Sequence, residues 1–125
     1  MRDALPASFN MAAYCLAASA ASSPGKAALL VIEDAGRGAP SEVWTFAEVE
    51  DAVLRVAAAL VDRGLAPGDR LMIRLGNTSA FALLFFGAIA AGVVALPVSS
   101  QLSAGEVAVL LEDGGAAAVA LDDRL

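Results

Sequence analysis

A chain of 125 residues, 58% hydrophobic and only 18% charged, is one domain of ordinary size, more apolar than a small domain that stands alone, leaving a membrane protein or a piece of a larger globular protein. The formal net charge of −6, with Lys26 the only lysine and the arginines scattered, excludes a nucleic-acid partner, because phosphate binding needs clustered cations. The chain has no histidine, the commonest general base and metal ligand, and a single cysteine, which rules out an internal disulfide and a cysteine metal cluster; no metal site is expected.

Residues 1–22 are expected to form a leader loop and helix. The apolar run Met11–Ser23 has no basic region before it, since Arg2 is cancelled by Asp3, so it is not read as a signal peptide. Pro6 and Asn10 instead suggest a loop ending in an N-cap, followed by a short Ala-rich helix to about Ser19. Cys15 lacks an activating His and is expected to be a small packed hydrophobe in a reducing cytosol. SSPGK is a turn by composition, ALLVIED predicts a strand ending at Glu33 and Asp34, and EVWT predicts a second strand antiparallel to it.

Thr45 and Glu48 have capping-box spacing, and Phe46, Val49, Val53, Val56 and Leu60 form a core-facing helical stripe. Asp51 and Arg55 fall four apart on the wet face, and Gly64 suits the position that ends the helix. LAPGDR turns into a strand, Leu71–Leu75. Asn77, Thr78 or Ser79 then caps a helix from about Ala80 to Ala91, stopped by Gly92. VVALPV is a strand, Ser103 and Glu106 repeat the capping box, Gly114 and Gly115 end that helix, and AAAVAL is the last strand.

From Leu71 onward the order is strand, helix, strand, helix, strand: two βαβ units whose right-handed crossovers build one parallel sheet. The fold class is therefore α/β, a partial parallel sheet with helices on both faces plus a short antiparallel strand pair near the N-terminus. Ala80–Val98, which has no charged or hydroxyl side chain, could pass for a membrane span. Gly87, Gly92 and Pro97 interrupt it and its second half is strand-like, so it is read as a buried helix, a stop and a central parallel strand.

Ligands of open parallel sheets bind beyond the carboxyl ends of the strands. Asn77 and Thr78, beside Gly76, and Ser99 and Ser100 hold those positions, and are candidates by position alone; turn and N-cap chemistry is their default role. Glu33, Asp34, Asp122 and Asp123 are expected to be surface turn acids, and Trp44, Phe46, Phe81, Phe85 and Phe86 core. GRGAPS, Gly36–Ser41, opens like a dinucleotide fingerprint but has Ser for the third Gly and no helix behind it. No catalytic or cofactor-binding residue is identified.

The stretch WTFAEVEDAVLRVAAALVDRGLAPGDRLMI resembles the first core motif of the adenylate-forming superfamily, which comprises AMP-binding acyl-CoA synthetases, peptide-synthetase adenylation domains and luciferases. FFGAIAAGVVALPVSSQLSAGEVAVLLEDGGAAAV resembles its second core motif, so the likeness runs from about Val43 to Ala120. FNMAAY is similar to the start of the medium-chain acyl- and aryl-CoA ligase branch. Two departures stand out: LGNTSAF replaces the family's frequent Leu-Pro-Asn-Ser, and Ser99 and Ser100 replace Asn-Pro or Asp.

The resemblance implies an enzyme that joins ATP and a carboxylic acid into an acyl-adenylate, releases pyrophosphate, and passes the acyl group to a thiol, usually coenzyme A. ATP, Mg and coenzyme A are then cofactors of the full-length enzyme. The family's phosphate loop and adenylation Lys lie beyond both motifs. Residues 1–125 are accordingly expected to be the N-terminal portion of the ligase domain, with 27–125 its α/β scaffold, inert alone, its main partner the remainder of its own polypeptide. A cytoplasmic location follows from the reading and a homodimer is compatible with it. The alternatives are a stand-alone soluble α/β binding or interaction module and a fragment of a peptide-synthetase adenylation domain.

Overall fold

A computed structural model of the chain describes residues 6–34, 36 and 38–124. The Arg2–Asp3 pair weighed above lies outside them. Among the described residues four helices and five strands follow in the order α1 (Met11–Ser22), β1 (Ala27–Val31), β2 (Glu42–Thr45), α2 (Phe46–Asp62), β3 (Arg70–Arg74), α3 (Ser79–Ala90), β4 (Val94–Pro97), α4 (Ala104–Gly114) and β5 (Ala118–Leu121). β1 and β2 form an antiparallel pair, and β3, β4 and β5 a parallel sheet in the order β4-β3-β5. The α/β architecture with both components is as expected.

Local chemistry sets the element ends. The Asn10 side chain caps α1 by accepting from Ala13 N. Both capping boxes form: Thr45 N–H donates to Glu48 Oε2 at 2.8 Å, and Ser103 N–H to Glu106 Oε2 at 2.9 Å. Gly64, Gly92 and Gly115 follow helices α2, α3 and α4 at φ 90°, 75° and 58°, a region that favours glycine.

The stripe on α2 buries Val49, Val53 and Leu60, while Arg55 pairs with Asp51 at 2.6 Å on the exposed face. Leu71 and Ile73 of β3 point toward α2 and α3, where they pack with Leu60, Ala88 and Val93. Met72, pointing the other way, faces Leu110 and Gly114 of α4 across a shallow gap. α3 and α4 therefore lie on opposite faces of the sheet. Trp44, Phe46 and Phe86 pack around a second cluster of Leu16, Val49 and Val53, as core residues should. Phe81 and Phe85 border the first cluster.

The two stretches that carry the resemblance meet at one point. Gly68 N–H, in the PGDR turn, donates to Gly92 O at 2.9 Å, and a Cβ on Gly92 would lie 3.2 Å from the Pro67 Cβ. The turn that introduces β3 thus rests on the turn that ends α3.

Several expectations need correcting. β4 is not central: β3 lies between it and β5, because the crossover after β4 passes over β3 rather than continuing outward. α3 is apolar all round but only Gly87 and Ala88 are fully buried. β1 ends at Val31 and does not reach Glu33 or Asp34. Cys15 is exposed rather than packed, since α1 buries Ala12, Leu16 and Ala20, a four-residue stripe that passes Cys15 by. Among the described residues no helix is long and apolar enough to cross a membrane, and Ala80–Val98 folds as α3, a turn and β4.

Candidate functional site

The sheet order locates the site. β3 hands the chain to α3 on one face and β4 hands it to α4 on the other, so the two outgoing loops diverge at the carboxyl edge. Such a divergence leaves a crevice, the usual ligand position in open α/β sheets. A cleft of about 340 Å³ lies there, lined by Gly76 and Asn77 from the first loop and Ser99 and Ser100 from the second, with Leu75, Phe81, Pro97 and Val98 as apolar walls.

Three of the four residues singled out from sequence are brought together in this cleft. Asn77 and Ser99 are exposed and Ser100 is half-buried. Thr78 stands beside the cleft without lining it. It is the N-cap of α3 by backbone conformation, yet its side chain makes no capping hydrogen bond. The Ser99 hydroxyl accepts from Gln101 N at 3.2 Å, and Leu102 N donates to Ser99 O at 3.4 Å, closing a turn.

Two cations escaped the sequence reading. Arg74, the last residue of β3, donates from Nη2 to Ser100 O at 2.9 Å and to Leu102 O at 2.8 Å. Its signal was the single charge, at the fourth position, in the otherwise apolar LMIRL. Arg124 follows β5 and donates from Nε and Nη2 to the two carboxylate oxygens of Asp122 at 2.8 and 2.6 Å. These hydrogen bonds hold the Asp122 carboxyl far below its ordinary range. Asp122 is thus a half-buried, paired acid, whereas Asp123 is an exposed one, as expected of a turn.

The cleft offers hydroxyl, amide and main-chain groups but no base to activate them. It fits a polar ligand held by hydrogen bonds. It does not fit a magnesium–triphosphate by itself, because its lining includes neither a carboxylate nor a lysine. Among the described residues no group of three or more His, Cys, Asp or Glu is placed to hold a metal ion.

Known proteins agree with this architecture. The chain is 37% identical over 75 residues to the long-chain-fatty-acid–CoA ligase FadD13 of Mycobacterium tuberculosis, 60% of this chain and 15% of that protein. It is 36% identical over 74 residues to the 4-hydroxybenzoate–CoA/benzoate–CoA ligase of Rhodopseudomonas palustris, 59% of this chain and 14% of that one. The inhibitor-bound crystal structure of the N-terminal domain of FACL13 from Mycobacterium tuberculosis superposes with a TM-score of 0.77 at 30% identity, covering 89% of this chain and 26% of that one. The chain thus spans about a seventh of the length of the two ligases. A match to the family described as AMP-binding enzyme extends over residues 16–125, and on that match the chain belongs to this family.

Proposed function

We propose that this chain is the N-terminal scaffold of an ATP-dependent acid–thiol ligase of the acyl/aryl-CoA synthetase branch. The parent enzyme joins a carboxylic acid to ATP, giving an acyl-adenylate and pyrophosphate, and a thiol then displaces AMP to leave a thioester. The observation that carries the reading is the family match over residues 16–125 together with two CoA ligases among the relatives. ATP, Mg and coenzyme A belong to the full-length enzyme, which works in the cytoplasm.

In this division of labour residues 27–125 supply a rigid sheet edge and no chemical step. Phosphoryl-group chemistry rests on positioned cations together with backbone donors, and no cation lines the cleft at this edge. The test is ATP–pyrophosphate exchange. The 125-residue chain should give only background with a panel of fatty and aromatic acids, and the same chain extended through a Gly-rich phosphate loop and a downstream Lys should be active. Exchange by the short chain would overturn the inert-scaffold reading, and silence of the extended protein with every acid would overturn the ligase reading.

A further inference from the structure

The geometry points to Arg74 as the positioning residue of the carboxyl-edge cleft, the group that fixes the path of the Ser99–Leu102 turn. Arg74 itself does not line the cleft. It sits on the opposite side of that turn, in a gap walled by Val107 and Leu111 of α4 and by Leu121 of β5. From there a single nitrogen, Nη2, gathers the carbonyls of Ser100 and Leu102. Tying these two carbonyls to β3 fixes the stretch that leaves the cleft directly after Ser99 and Ser100, the two residues of this turn that line it.

This arrangement comes at a cost to stability. Arg74 Nε is buried without a hydrogen-bond partner, and an orphaned buried donor is unfavourable. A hydrophobic side chain of similar length would fill the gap against Val107 and Leu111 without that penalty, while giving up the two bonds to Ser100 O and Leu102 O. The unmet Nε offsets the two bonds to part-buried carbonyls, so the net effect of Arg74 on the stability of the fold is small and its main effect is on the placement of the turn. A planar guanidinium suits the task, since the two hydrogens on Nη2 diverge in one plane toward two acceptors.

The assignment rests on the cleft being the working edge of the sheet, but its test needs neither ATP nor acid. Arg74→Met and Arg74→Lys are compared with the parent chain by residue-resolved amide hydrogen exchange and by thermal unfolding. Arg74→Met should keep Tm within about 3 °C of the parent, or raise it. It should speed exchange at Gln101 and Leu102 about tenfold while leaving α2, α3 and β3 unchanged. Arg74→Lys, whose shorter ammonium reaches one carbonyl, should fall between. Unchanged exchange at Gln101 and Leu102 in both variants would overturn the proposal. So would acceleration spread evenly over the fold with a matching loss of Tm, the mark of a purely structural residue. Should Arg74→Met not fold, the stabilising prediction fails and the proposal fails with it. An inactive extended protein would sink the ligase reading and leave this result standing.

Discussion

Gly87 of α3 lies against Val56 of α2 so closely that a Cβ built on Gly87 would come 2.7 Å from the Val56 Cβ and 3.4 Å from the Val53 carbonyl oxygen. The two helices approach at this point because one of them has no side chain there. Glycine inside a helix costs about 1 kcal/mol relative to alanine, so helix propensity alone favours Gly87→Ala. Overpacking a closed contact costs about 1–3 kcal/mol, and the steric effect should win. We expect Gly87→Ala to lower the urea midpoint at constant m, and Gly87→Ala combined with Val56→Ala to recover part of the loss. A midpoint raised by Gly87→Ala would show that α2 and α3 can separate freely.

Asn10 ties two helix ends together. Its Oδ1 caps α1, and its Nδ2 donates to Ile89 O at 2.9 Å, at the last turn of α3. Asn10→Ala should cost about 1–2 kcal/mol, as loss of a cap does. Asn10→Asp is the informative variant: it keeps the acceptor but puts a negative charge beside the carbonyl end of α3, where anions are unfavourable. Thermal unfolding should place Asp no better than Ala, although Asp is a good N-cap elsewhere.

Gly92 combines φ 75° with contact to Pro67, so Gly92→Ala meets strain and crowding together. The expected loss is about 1–2 kcal/mol, read from chemical denaturation. Gly68, also at positive φ but open around its Cβ position, should lose less, since only the conformational part applies.

Acid should weaken the fold through named carboxylates. Hydrogen bonds from Thr45 and Ser103 lower Glu48 and Glu106 below their ordinary 4.5, and Glu42 is lowered first by the Trp44 indole N–H and then by the Ser79 hydroxyl. A carboxyl lowered in the folded state contributes stability that is present above its unfolded value and lost as pH falls through the folded one. Stability should therefore be level above about pH 5.5 and decline as pH falls below 4.5. Glu48→Gln with Glu106→Gln should flatten that decline. Trp44 is the only tryptophan, and its Nε1 donates to Glu42 Oε2 at 2.7 Å. Its emission should shift in the same acid range, and Glu42→Gln should abolish the shift while the fold persists.

Most of the element order was legible because its signals are local. Thr45 with Glu48, Ser103 with Glu106, and the glycines at 64, 92 and 115 each mark an end through chemistry within a few residues. Strand order was not legible. Both crossovers read alike in sequence, and nothing local says that the chain after β4 passes back over β3. The cleft was half legible. Asn77, Ser99 and Ser100 followed from the rule that loops at strand ends bind ligands. Arg74 did not, because its partners are main-chain carbonyls 26 and 28 residues away and carry no side-chain signature. Cys15 was misplaced for a similar reason: in an Ala-rich helix the polarity pattern is too faint to tell the inner face from the outer.

The β1–β2 ribbon turns Leu30 and its cross-strand partner Val43 outward, 55% and 53% exposed, with Ile32 next to them at 59%. A two-stranded ribbon also carries open hydrogen-bonding edges, and an apolar face beside an open edge is a template for another strand. The consequence is colloidal rather than catalytic. If the 125-residue chain associates at high concentration, this ribbon is the expected growth point, and light scattering should show Val43→Lys slowing that association while the parallel sheet and its cleft stay untouched.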